Sequence, residues 1–386
     1  MVSDLAFHLA SRGWEVAVVT SRLRYEDAVP AYAPRERIGG VDVVRVRTSR
    51  FGRFALPGRA IDYLTFYWST AWRLARLARP GDVIVAKTDP PLISVVAGWV
   101  ARLRSARLVN WLQDLFPEVA AALGIGPAKG AAGRILAGLR NRSLAAAAMN
   151  VAIGDGMRRR LLELGVDQDR VRVVHNWCDD ARIRPLPPAS SPLRRQWGLD
   201  CKLVVGYSGN LGRAHEYRTL LSAADRLRER HDIAFLFIGG GAAMNGLREQ
   251  AQARGLGNLL FRPYQPAERL AESLAVPDVH LVVLRPEMEG LIVPSKFYGI
   301  AAAGRPTLFV GSLEGEIAGL LSAADAGVAV AQGDGAGLAA AILRLCDDAA
   351  LRERMGRNAR RLCEERFSRR GAFEHWEQIL ATAANS

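Results

Sequence analysis

Residues 203–213 have the sequence LVVGYSGNLGR, a short apolar segment that runs into a turn with two glycines. A segment of this kind predicts a buried strand, and the glycines let backbone N–H groups of the turn approach an anion closely. A second unit follows, with a predicted strand over residues 234–238 and three glycines at residues 239–241. Two glycine turns after two predicted strands indicate a nucleotide site in an α/β domain.

The same alternation of short strands and helical patterns runs along the whole chain. Parallel sheets built from right-handed βαβ units have this pattern, and ligands bind beyond the carboxyl ends of their strands. The predicted strands cover residues 16–20, 41–46, 82–86, 108–111, 203–207, 234–238, 279–284 and 307–310.

A proline-rich segment interrupts the alternation. Residues 185–192 contain four prolines and two serines, which predicts a linker. We therefore expect an α/β protein with two Rossmann-like doubly wound domains, residues 1–184 and 193–386. The crevice between two such domains is the expected ligand site.

The chain opens on a predicted helix, whereas a doubly wound domain usually opens on a strand. Ser3 and Asp4 fit a helix cap, Gly13 fits the helix end, and a strand follows. We expect the open reading frame to begin upstream of Met1 and to supply a strand with a glycine-rich loop.

The composition indicates a folded protein with reduced thiols, which we expect to be cytoplasmic. Its four cysteines form no CxxC pair and lie beside no histidine cluster, so neither a zinc site nor a disulfide framework is expected. No segment reaches the roughly 20 apolar residues that span a bilayer.

Positive charge is concentrated in the first half of the chain. The formal net charge is +13, and residues 1–186 carry 28 basic against 17 acidic side chains, or +11. Such a surface attracts nucleic acid or anionic lipid, and charge alone does not choose between them. Residues 50–79 hold seven aromatic side chains among six arginines, which suits a segment at lipid headgroups and equally an amphipathic helix packed on its own domain.

No nucleic-acid-binding module is recognisable, so we expect no nucleic-acid partner. We expect instead reversible, peripheral binding to the anionic inner face of the cytoplasmic membrane. Arg50, Arg53 and Arg59 are the arginines expected to contribute to it.

A short helix is predicted within residues 289–306. Pro294 fits its first position, Gly304 fits the left-handed position just past its end, and Pro306 blocks its continuation. Free N–H groups and the positive end of the helix dipole make such a helix start a diphosphate site, to which Lys296 adds a point charge. The alternative is a short packed helix with an exposed lysine.

These segments resemble glycosyltransferase family 4, the retaining enzymes with the GT-B fold. Within it they are most similar to bacterial transferases of colanic-acid, O-antigen and exopolysaccharide biosynthesis. The resemblance covers almost the whole chain and is more specific in the second half. It is carried by residues 9–16 (LASRGWEV), 113–118 (QDLFPE), 175–179 (HNWCD), 207–212 (YSGNLG), 238–242 (IGGGA), 261–266 (FRPYQP), 278–281 (DVHL) and 294–306 (PSKFYGIAAAGRP).

The resemblance implies two domains that face a central cleft. Residues 1–184 would bind the acceptor and residues 193–386 a nucleotide sugar, as a UDP-sugar, with the last helix, about residues 366–386, crossing back. It also implies a retaining hexosyl or N-acetylhexosaminyl transfer in the biosynthesis of a cell-surface polysaccharide, such as lipopolysaccharide or exopolysaccharide. The acceptor would be a saccharide or a polyprenyl-diphosphate-linked sugar.

Lys296 and Arg213 are the expected catalytic residues, because they can stabilise the departing diphosphate. No DxD-like pair stands where it would hold a metal, so we expect metal-independent catalysis and no cofactor. The expected acceptor-side residues are Gln113, Asp114 and Glu118. The expected donor-binding residues are Ser208, Gly209, Asn210, Leu211, Gly212, Gly239, Gly240, Arg262, Tyr264, Glu289, Gly290, Pro294 and Ser295.

Two departures from the family pattern bear on the mechanism. Leu291 and Gly299 occupy the positions of two glutamates that many members carry, and Glu287 and Glu289 are candidate substitutes. Gln113 stands where the acceptor-side dyad often begins with histidine. Because an amide cannot act as a base, the donor phosphate is expected to take the acceptor proton, and Asp114 either anchors the acceptor or braces its loop.

Two alternative functions stay open at this point. A nucleotide-sugar epimerase can share the two-domain fold, but it needs acidic residues that converge on the sugar, and the matched segments contain no such cluster. A protein that binds nucleic acid would account for the basic half of the chain, and a salt-dependent mobility-shift assay would detect it.

Overall fold

The computed structural model describes residues 1–23, 32–52, 56–125, 128, 130–187 and 190–385. The chain divides into two compact units, Met1–Val174 together with Phe373–Ser386, and His175–Ala372. Arg53, expected above to contact lipid, and residues 188 and 189 of the predicted linker lie outside the described residues.

The units divide before residue 175, about ten residues ahead of the predicted linker. Residues 175–184 pack on the second unit, which is the physical reason for the difference. The thiol of Cys178 donates to the carbonyl of Tyr298 at 3.4 Å, and the guanidinium of Arg369 pairs with Asp179 at 2.9 Å. Pro185 and Pro187 therefore lie inside the second unit, and Pro192 begins α7.

The first unit is built from alternating helices and short strands. Its elements are α1 (Val2–Ser11), β1 (Ala17–Ser21), β2 (Arg35–Ile38), β3 (Val41–Val46), α2 (Leu56–Leu77), β4 (Val83–Lys87), α3 (Ile93–Leu103), β5 (Arg107–Trp111), α4 (Glu118–Ala122), α5 (Gly130–Ala146), β6 (Met149–Ala152), α6 (Asp155–Glu163) and β7 (Val171–Val173).

These strands form two sheets within the described residues. One has the order β1-β3-β2, in which β2 runs antiparallel to β3, and the other has the parallel order β4-β5-β6-β7. The four strands predicted in this half of the chain are confirmed to within about one residue at each end. Strands β2, β6 and β7 were not predicted from the sequence, because each has only three or four residues.

The predicted helix at the start of the chain is confirmed. Ser3 and Asp4 lie inside its first turn, however, so their prediction as the cap is wrong, and Met1 is the N-cap. The carboxylate of Asp4 pairs with the N-terminal ammonium at 3.1 Å. Gly13 adopts φ +91°, the left-handed conformation expected just past a helix end.

The second unit contains one parallel sheet in its described residues, with helices between the strands. Its elements are α7 (Pro192–Gln196), β8 (Leu203–Asn210), α8 (Arg218–Arg226), β9 (Ile233–Gly240), α9 (Met244–Ala253), β10 (Leu259–Arg262), α10 (Leu270–Ala275), β11 (Val279–Val283), α11 (Lys296–Ala302), β12 (Thr307–Gly311), α12 (Glu316–Ala324), β13 (Gly327–Ala331), α13 (Gly335–Asp347), α14 (Ala349–Arg366) and the start of α15 (Arg369–Ala384).

The strand order of this sheet is β10-β9-β8-β11-β12-β13. In order of appearance along the chain it is 3-2-1-4-5-6, the order of a dinucleotide-binding fold. All residues of β11 and β12 are buried, as are the first five of β8. Burial on both faces explains why these strands are continuous apolar runs in the sequence. The order reverses between β8 and β11, which marks the expected ligand crevice.

The end of the chain belongs to the first unit from Phe373 onward. Within α15 the ring of Trp376 is fully buried and lies 4.8 Å, centre to centre, from that of Trp111 in β5. In the part of the chain that the structure describes, no helix has the length and apolar character needed to cross a bilayer.

Candidate active site

The candidate active site lies in the second unit, beyond the carboxyl ends of strands β8, β9 and β11. The loop after β8 and the loop that leads from β11 into α11 meet where the strand order reverses. Gly209 and Lys296, both predicted donor-site residues, come together there. A Cβ atom at Gly209 would lie 3.8 Å from Cε of Lys296.

Lys296 is half-buried and held by side chains from the end of β8. Its Nζ donates to the hydroxyl of Tyr207, lies 4.2 Å from the centre of that ring, and lies 3.3 Å from Nε2 of His215. The Tyr207 hydroxyl in turn donates to the carbonyl of Asn210 at 2.9 Å. The alternative of an exposed surface lysine is therefore wrong.

The helix that carries Lys296 is shorter than predicted. Helix α11 has seven residues and begins at Lys296, with Ser295 rather than Pro294 marking its start. Ser295 is exposed and makes no capping bond through its side chain. Gly304 adopts φ +64°, as predicted for the residue past the helix end. Because so short a helix contributes a weak dipole, the positive charge of this site comes mainly from Lys296.

His215 belongs to the site but is absent from the residues predicted from sequence. Its Nδ1 accepts the backbone N–H of Gly212 at 3.0 Å, which fixes the ring against the glycine turn. The signal in the sequence is a histidine three residues beyond the last glycine of that turn. Only the fold shows that its second ring nitrogen faces Lys296.

The electrostatics of the Lys296–His215 pair follow from burial. Burial lowers the pKa of Lys296 to about 7. Burial, and secondarily the charge of Lys296, lowers the pKa of His215 to about 4. His215 is thus neutral at pH 7, whereas Lys296 is balanced between its charged and neutral forms. An anion bound beside Lys296 would favour the ammonium form.

Gly239 and Gly241 of the second glycine turn leave no room for a side chain, and the approach of these turns to an anion stays a prediction. A Cβ at Gly239 would lie 2.4 Å from the carbonyl oxygen of Gly209, and one at Gly241 would lie 2.2 Å from Oδ1 of Asn210. Both glycines also have φ above +120°, a conformation that other residues rarely adopt.

Tyr264 covers the second glycine turn. A Cβ at Gly239 or Gly240 would lie 3.1 or 3.3 Å from its ring. The ring itself is 58% exposed. It therefore offers a flat aromatic surface next to the ends of β8 and β9, where a nucleobase could stack.

Two amides of the first glycine turn are already engaged, which corrects their assignment as anion donors. The N–H of Leu211 donates to the carbonyl of Gly240 at 2.7 Å, and the N–H of Gly212 donates to His215. The side chain of Leu211 is fully buried in the core. Ser208, in contrast, has a buried Oγ without a hydrogen-bond partner among the described residues.

Two more predicted donor-binding side chains have partners within the protein. The guanidinium of Arg262 lies 5.7 Å from the centre of the Trp197 ring, and its Nη1 donates to the carbonyl of Phe261 at 3.2 Å. Oε1 of Glu289 accepts the N–H of Glu316 at 2.7 Å, at the start of α12. Both side chains thus support the walls of the site.

The other predicted donor-side residues lie on the two loops themselves. Gly290 adopts φ +73° and Pro294 is buried, so both shape the loop before α11. Arg213 is exposed on the loop after β8. Its contact with a diphosphate stays a prediction.

On the predicted acceptor side, Gln113 and Asp114 follow strand β5 of the first unit. The N–H of Gln113 donates to Oγ1 of Thr88 at 3.0 Å. Burial and then the charge of Asp89 raise the pKa of Asp114 to about 6, although Lys87 and Thr88 oppose the shift. Asp114 is therefore a carboxyl group that gains and loses its proton close to neutral pH.

Glu118 has a structural partner in the first unit, and its contact with an acceptor stays a prediction. Its Oε1 lies 2.5 Å from Nη2 of Arg140, a side chain only 5% exposed. A buried guanidinium needs a compensating charge, and Glu118 supplies it. Within the described residues, no group of three or more His, Cys, Asp or Glu side chains could hold a metal ion.

Comparison with known proteins places this site in a family. Residues 1–177 match the family described as Glycosyl transferase 4-like domain, and residues 191–362 match Glycosyl transferases group 1. WcaI of Escherichia coli (strain K12), named for colanic acid biosynthesis glycosyl transfer, is 35% identical over 320 residues, which are 77% of this chain and 75% of WcaI. The chain belongs to the group 1, family 4 glycosyltransferases.

One further relative is named as a glycosyltransferase, and a solved structure shares the fold. WbjE of Pseudomonas aeruginosa, named as a glycosyltransferase, is 28% identical over 299 residues, which are 78% of this chain and 74% of WbjE. The crystal structure of Anabaena HepE in complex with UDP and glucose superposes with a TM-score of 0.73 at 17% identity, covering 98% of this chain and 94% of HepE. The predicted family, GT-B fold and enzyme class are confirmed, and the relatives support transfer over epimerisation or nucleic-acid binding.

Proposed function

We propose that this glycosyltransferase moves a sugar from a UDP-sugar to a lipid-linked or saccharide acceptor in cell-surface polysaccharide biosynthesis. The observation that carries the proposal is the half-buried lysine at the reversal of strand order, beside two glycine turns. Relatives support the finer points. WcaI is named for colanic acid biosynthesis, and the HepE structure contains UDP and glucose.

Lys296 would neutralise the charge that develops on the departing diphosphate. A single ammonium in a partly dry site stabilises such charge more than it would in water. The amine of Lys296 donates to the Tyr207 hydroxyl and lies 3.3 Å from Nε2 of His215, so these two side chains position it beside the glycine turn. Arg213, exposed on the neighbouring loop, would add a second positive charge when the donor is bound.

Tyr264 would stack on the uracil base, with Ser208 Oγ offering a hydrogen bond deeper in the site.

The family resemblance further implies retention at the anomeric carbon, with the donor phosphate taking the acceptor proton. Proton NMR of the freshly formed product tests retention, because the anomeric coupling constant distinguishes the two configurations. Asp114 would hold an acceptor hydroxyl, since its carboxyl is half-buried and follows strand β5 at the carboxyl end of the sheet.

A screen of nucleotide sugars tests the proposed function. Thermal shift with UDP, GDP and dTDP sugars identifies the donor, and transfer or slow hydrolysis of that donor follows. We expect a UDP-sugar to raise the melting temperature and to be consumed. Interconversion of two UDP-sugars without transfer or hydrolysis would favour an epimerase instead.

The base-stacking role of Tyr264 gives a first prediction. Tyr264→Ala should raise KM for the donor about tenfold, because stacking of a base on an aromatic ring is worth roughly 1–3 kcal/mol. Tyr264→Phe should remain close to the wild type. Tyr32→Ala, which removes another exposed tyrosine in the first unit, is the matched control. An unchanged KM in the alanine variant would show that the base binds elsewhere.

A second prediction concerns metal. We propose metal-independent transfer without a cofactor, because Lys296 supplies the positive charge beside the glycine turns. Initial rates in excess chelator should equal those in magnesium. A rate that falls in chelator and returns with magnesium or manganese would contradict the proposal.

A further inference from the structure

Helix α2 of the first unit presents large apolar side chains to solvent along one side. Ile61, Leu64, Trp68 and Trp72 follow one another at spacings of three and four residues, and Trp68 is 77% exposed. Residues at these spacings share one face of a helix. Single exposed apolar residues are ordinary, whereas a row of four indicates a contact surface.

The side of α2 opposite Trp68 is buried in its unit, where Thr70 is only 3% exposed. Smaller side chains next to the exposed row also reach the core. Ala71, Leu74 and Ala75 lie against a buried cluster that includes Ile84 of β4 and Leu108 of β5. The alternative prediction for this segment was an amphipathic helix packed on its own domain. Such packing explains only the buried side of α2. The exposed row has no such role in the described structure.

Two neighbouring helices continue this apolar surface. Helix α2 packs beside α3, and α3 packs beside α5. Helices α3 and α5 connect successive parallel strands, and right-handed connections place them on the same face of the sheet. Trp99 and Leu103 of α3 and Ile135 of α5 are each at least 60% exposed. The six most exposed apolar side chains of these three helices are called the outer face: Leu64, Trp68, Trp72, Trp99, Leu103 and Ile135.

Positive charge surrounds the outer face with little opposing charge. Apart from Arg140, which is buried against Glu118, helices α2, α3 and α5, as described, contain six arginines and one acidic residue, Asp62. Asp62 accepts a hydrogen bond from the Ser49 hydroxyl at 2.6 Å and another from the N–H of Phe51 at 2.9 Å, so it fixes the preceding loop. The guanidinium of Arg76 lies 4.1 Å from the centre of the Trp72 ring, at the margin of the face.

We propose that the outer face rests on an anionic lipid bilayer, with its tryptophans at the level of the headgroups. Tryptophan prefers that level of a membrane. Arginine can bury its stem along apolar surface while its guanidinium meets lipid phosphate. Charge complementarity therefore selects a lipid surface as the occupant. The proposal extends the lipid-linked acceptor of the proposed function, but binding itself requires neither donor nor acceptor.

Vesicle flotation tests the outer face. The full chain is mixed with phosphatidylcholine vesicles, with or without phosphatidylglycerol, at several salt concentrations. We expect flotation with the anionic vesicles that weakens as salt rises. Trp68→Ser/Trp72→Ser should lower the partition coefficient at least tenfold, and binding should shift tryptophan emission to the blue in the wild type.

Matched variants separate the outer face from general effects. Leu64→Ser should weaken binding, whereas Leu270→Ser, at an exposed leucine of the second unit, should not. Arg76→Gln/Arg102→Gln/Arg134→Gln should lower anionic binding roughly a hundredfold, because each arginine near the surface contributes about 1 kcal/mol. The matched control replaces three exposed arginines of the second unit with glutamine, Arg226, Arg254 and Arg357. It lowers the net charge by the same amount and should weaken vesicle binding much less.

Several results would overturn the proposal. Equal flotation of the wild type and the double tryptophan variant would do so. Concentration-dependent dimerisation that the same variant abolishes, without any vesicle binding, would instead assign the outer face to a second copy of the chain. Donor-induced thermal stabilisation, measured on the same preparations, reports separately on the proposed function.

Discussion

Lys296→Ala is expected to lower kcat/KM for the nucleotide-sugar donor by about 10²–10³-fold while the fold is retained. The side chain is half-buried, and its ammonium lies among the Tyr207 hydroxyl, the His215 ring and the glycine turn. No other cation is placed in this way by the described residues, so its loss would leave the departing diphosphate without its main counter-charge. Steady-state kinetics with varied donor measure the effect.

The control for this prediction is Lys202→Ala. Lys202 precedes β8, at the opposite end of the strand from the site, and donates to the carbonyl of His231 at 2.5 Å. We expect this variant to keep its activity. Circular dichroism and melting temperature should show that both variants are folded. Unchanged turnover in the Lys296 variant would remove the lysine from the mechanism.

The same lysine predicts a pH dependence. Because the pKa of Lys296 is lowered to about 7 by burial, the free enzyme loses the charged form as pH rises above that value. The donor kcat/KM should then fall by up to about tenfold per pH unit above pH 7. In Lys296→Arg, which stays charged, this alkaline fall should disappear even if the absolute rate is lower. A fall that persists in the arginine variant would point to another group.

Glu118→Gln is expected to destabilise the protein by about 3 kcal/mol without a selective change in acceptor KM. The substitution leaves the guanidinium of Arg140, only 5% exposed, without its charged partner. Removing one member of a buried ion pair costs roughly 3–5 kcal/mol, and partial exposure of Glu118 places the expected loss at the lower end. Urea unfolding measures the free energy of unfolding, and acceptor kinetics are measured at a temperature where the variant is folded.

Glu163→Gln provides the comparison for a surface pair. Glu163 lies 2.7 Å from Arg160, and both side chains are more than half exposed. Its loss should change stability by less than about 1 kcal/mol. If Glu118→Gln instead leaves stability unchanged and raises acceptor KM, Glu118 belongs to the acceptor site, as the sequence first indicated.

The sequence by itself determined four of the six strands described in the second unit and the family to which the chain belongs. Buried parallel strands are continuous apolar runs, and turns that require glycine admit few other residues. The strand over residues 203–207, the glycines at residues 239–241 and the helix stop at Gly304 could therefore be predicted locally. The motifs around Lys296 were enough to identify the family, because a motif is recognised from the order of its residues alone and requires no knowledge of their contacts.

Only the tertiary structure decided which polar groups meet. His215 faces Lys296 across 81 residues of sequence, and Glu289 meets the start of α12 27 residues away. Such partners are chosen by the packing of distant elements, which no local pattern records. Strand order was also needed to place the site at one reversal point. The outer face could be recognised only from the exposure of its side chains in the structure. The spacing of Trp68 and Trp72 fits a buried or an exposed stripe equally well. Only the burial of the opposite side of α2 shows that these two tryptophans face water.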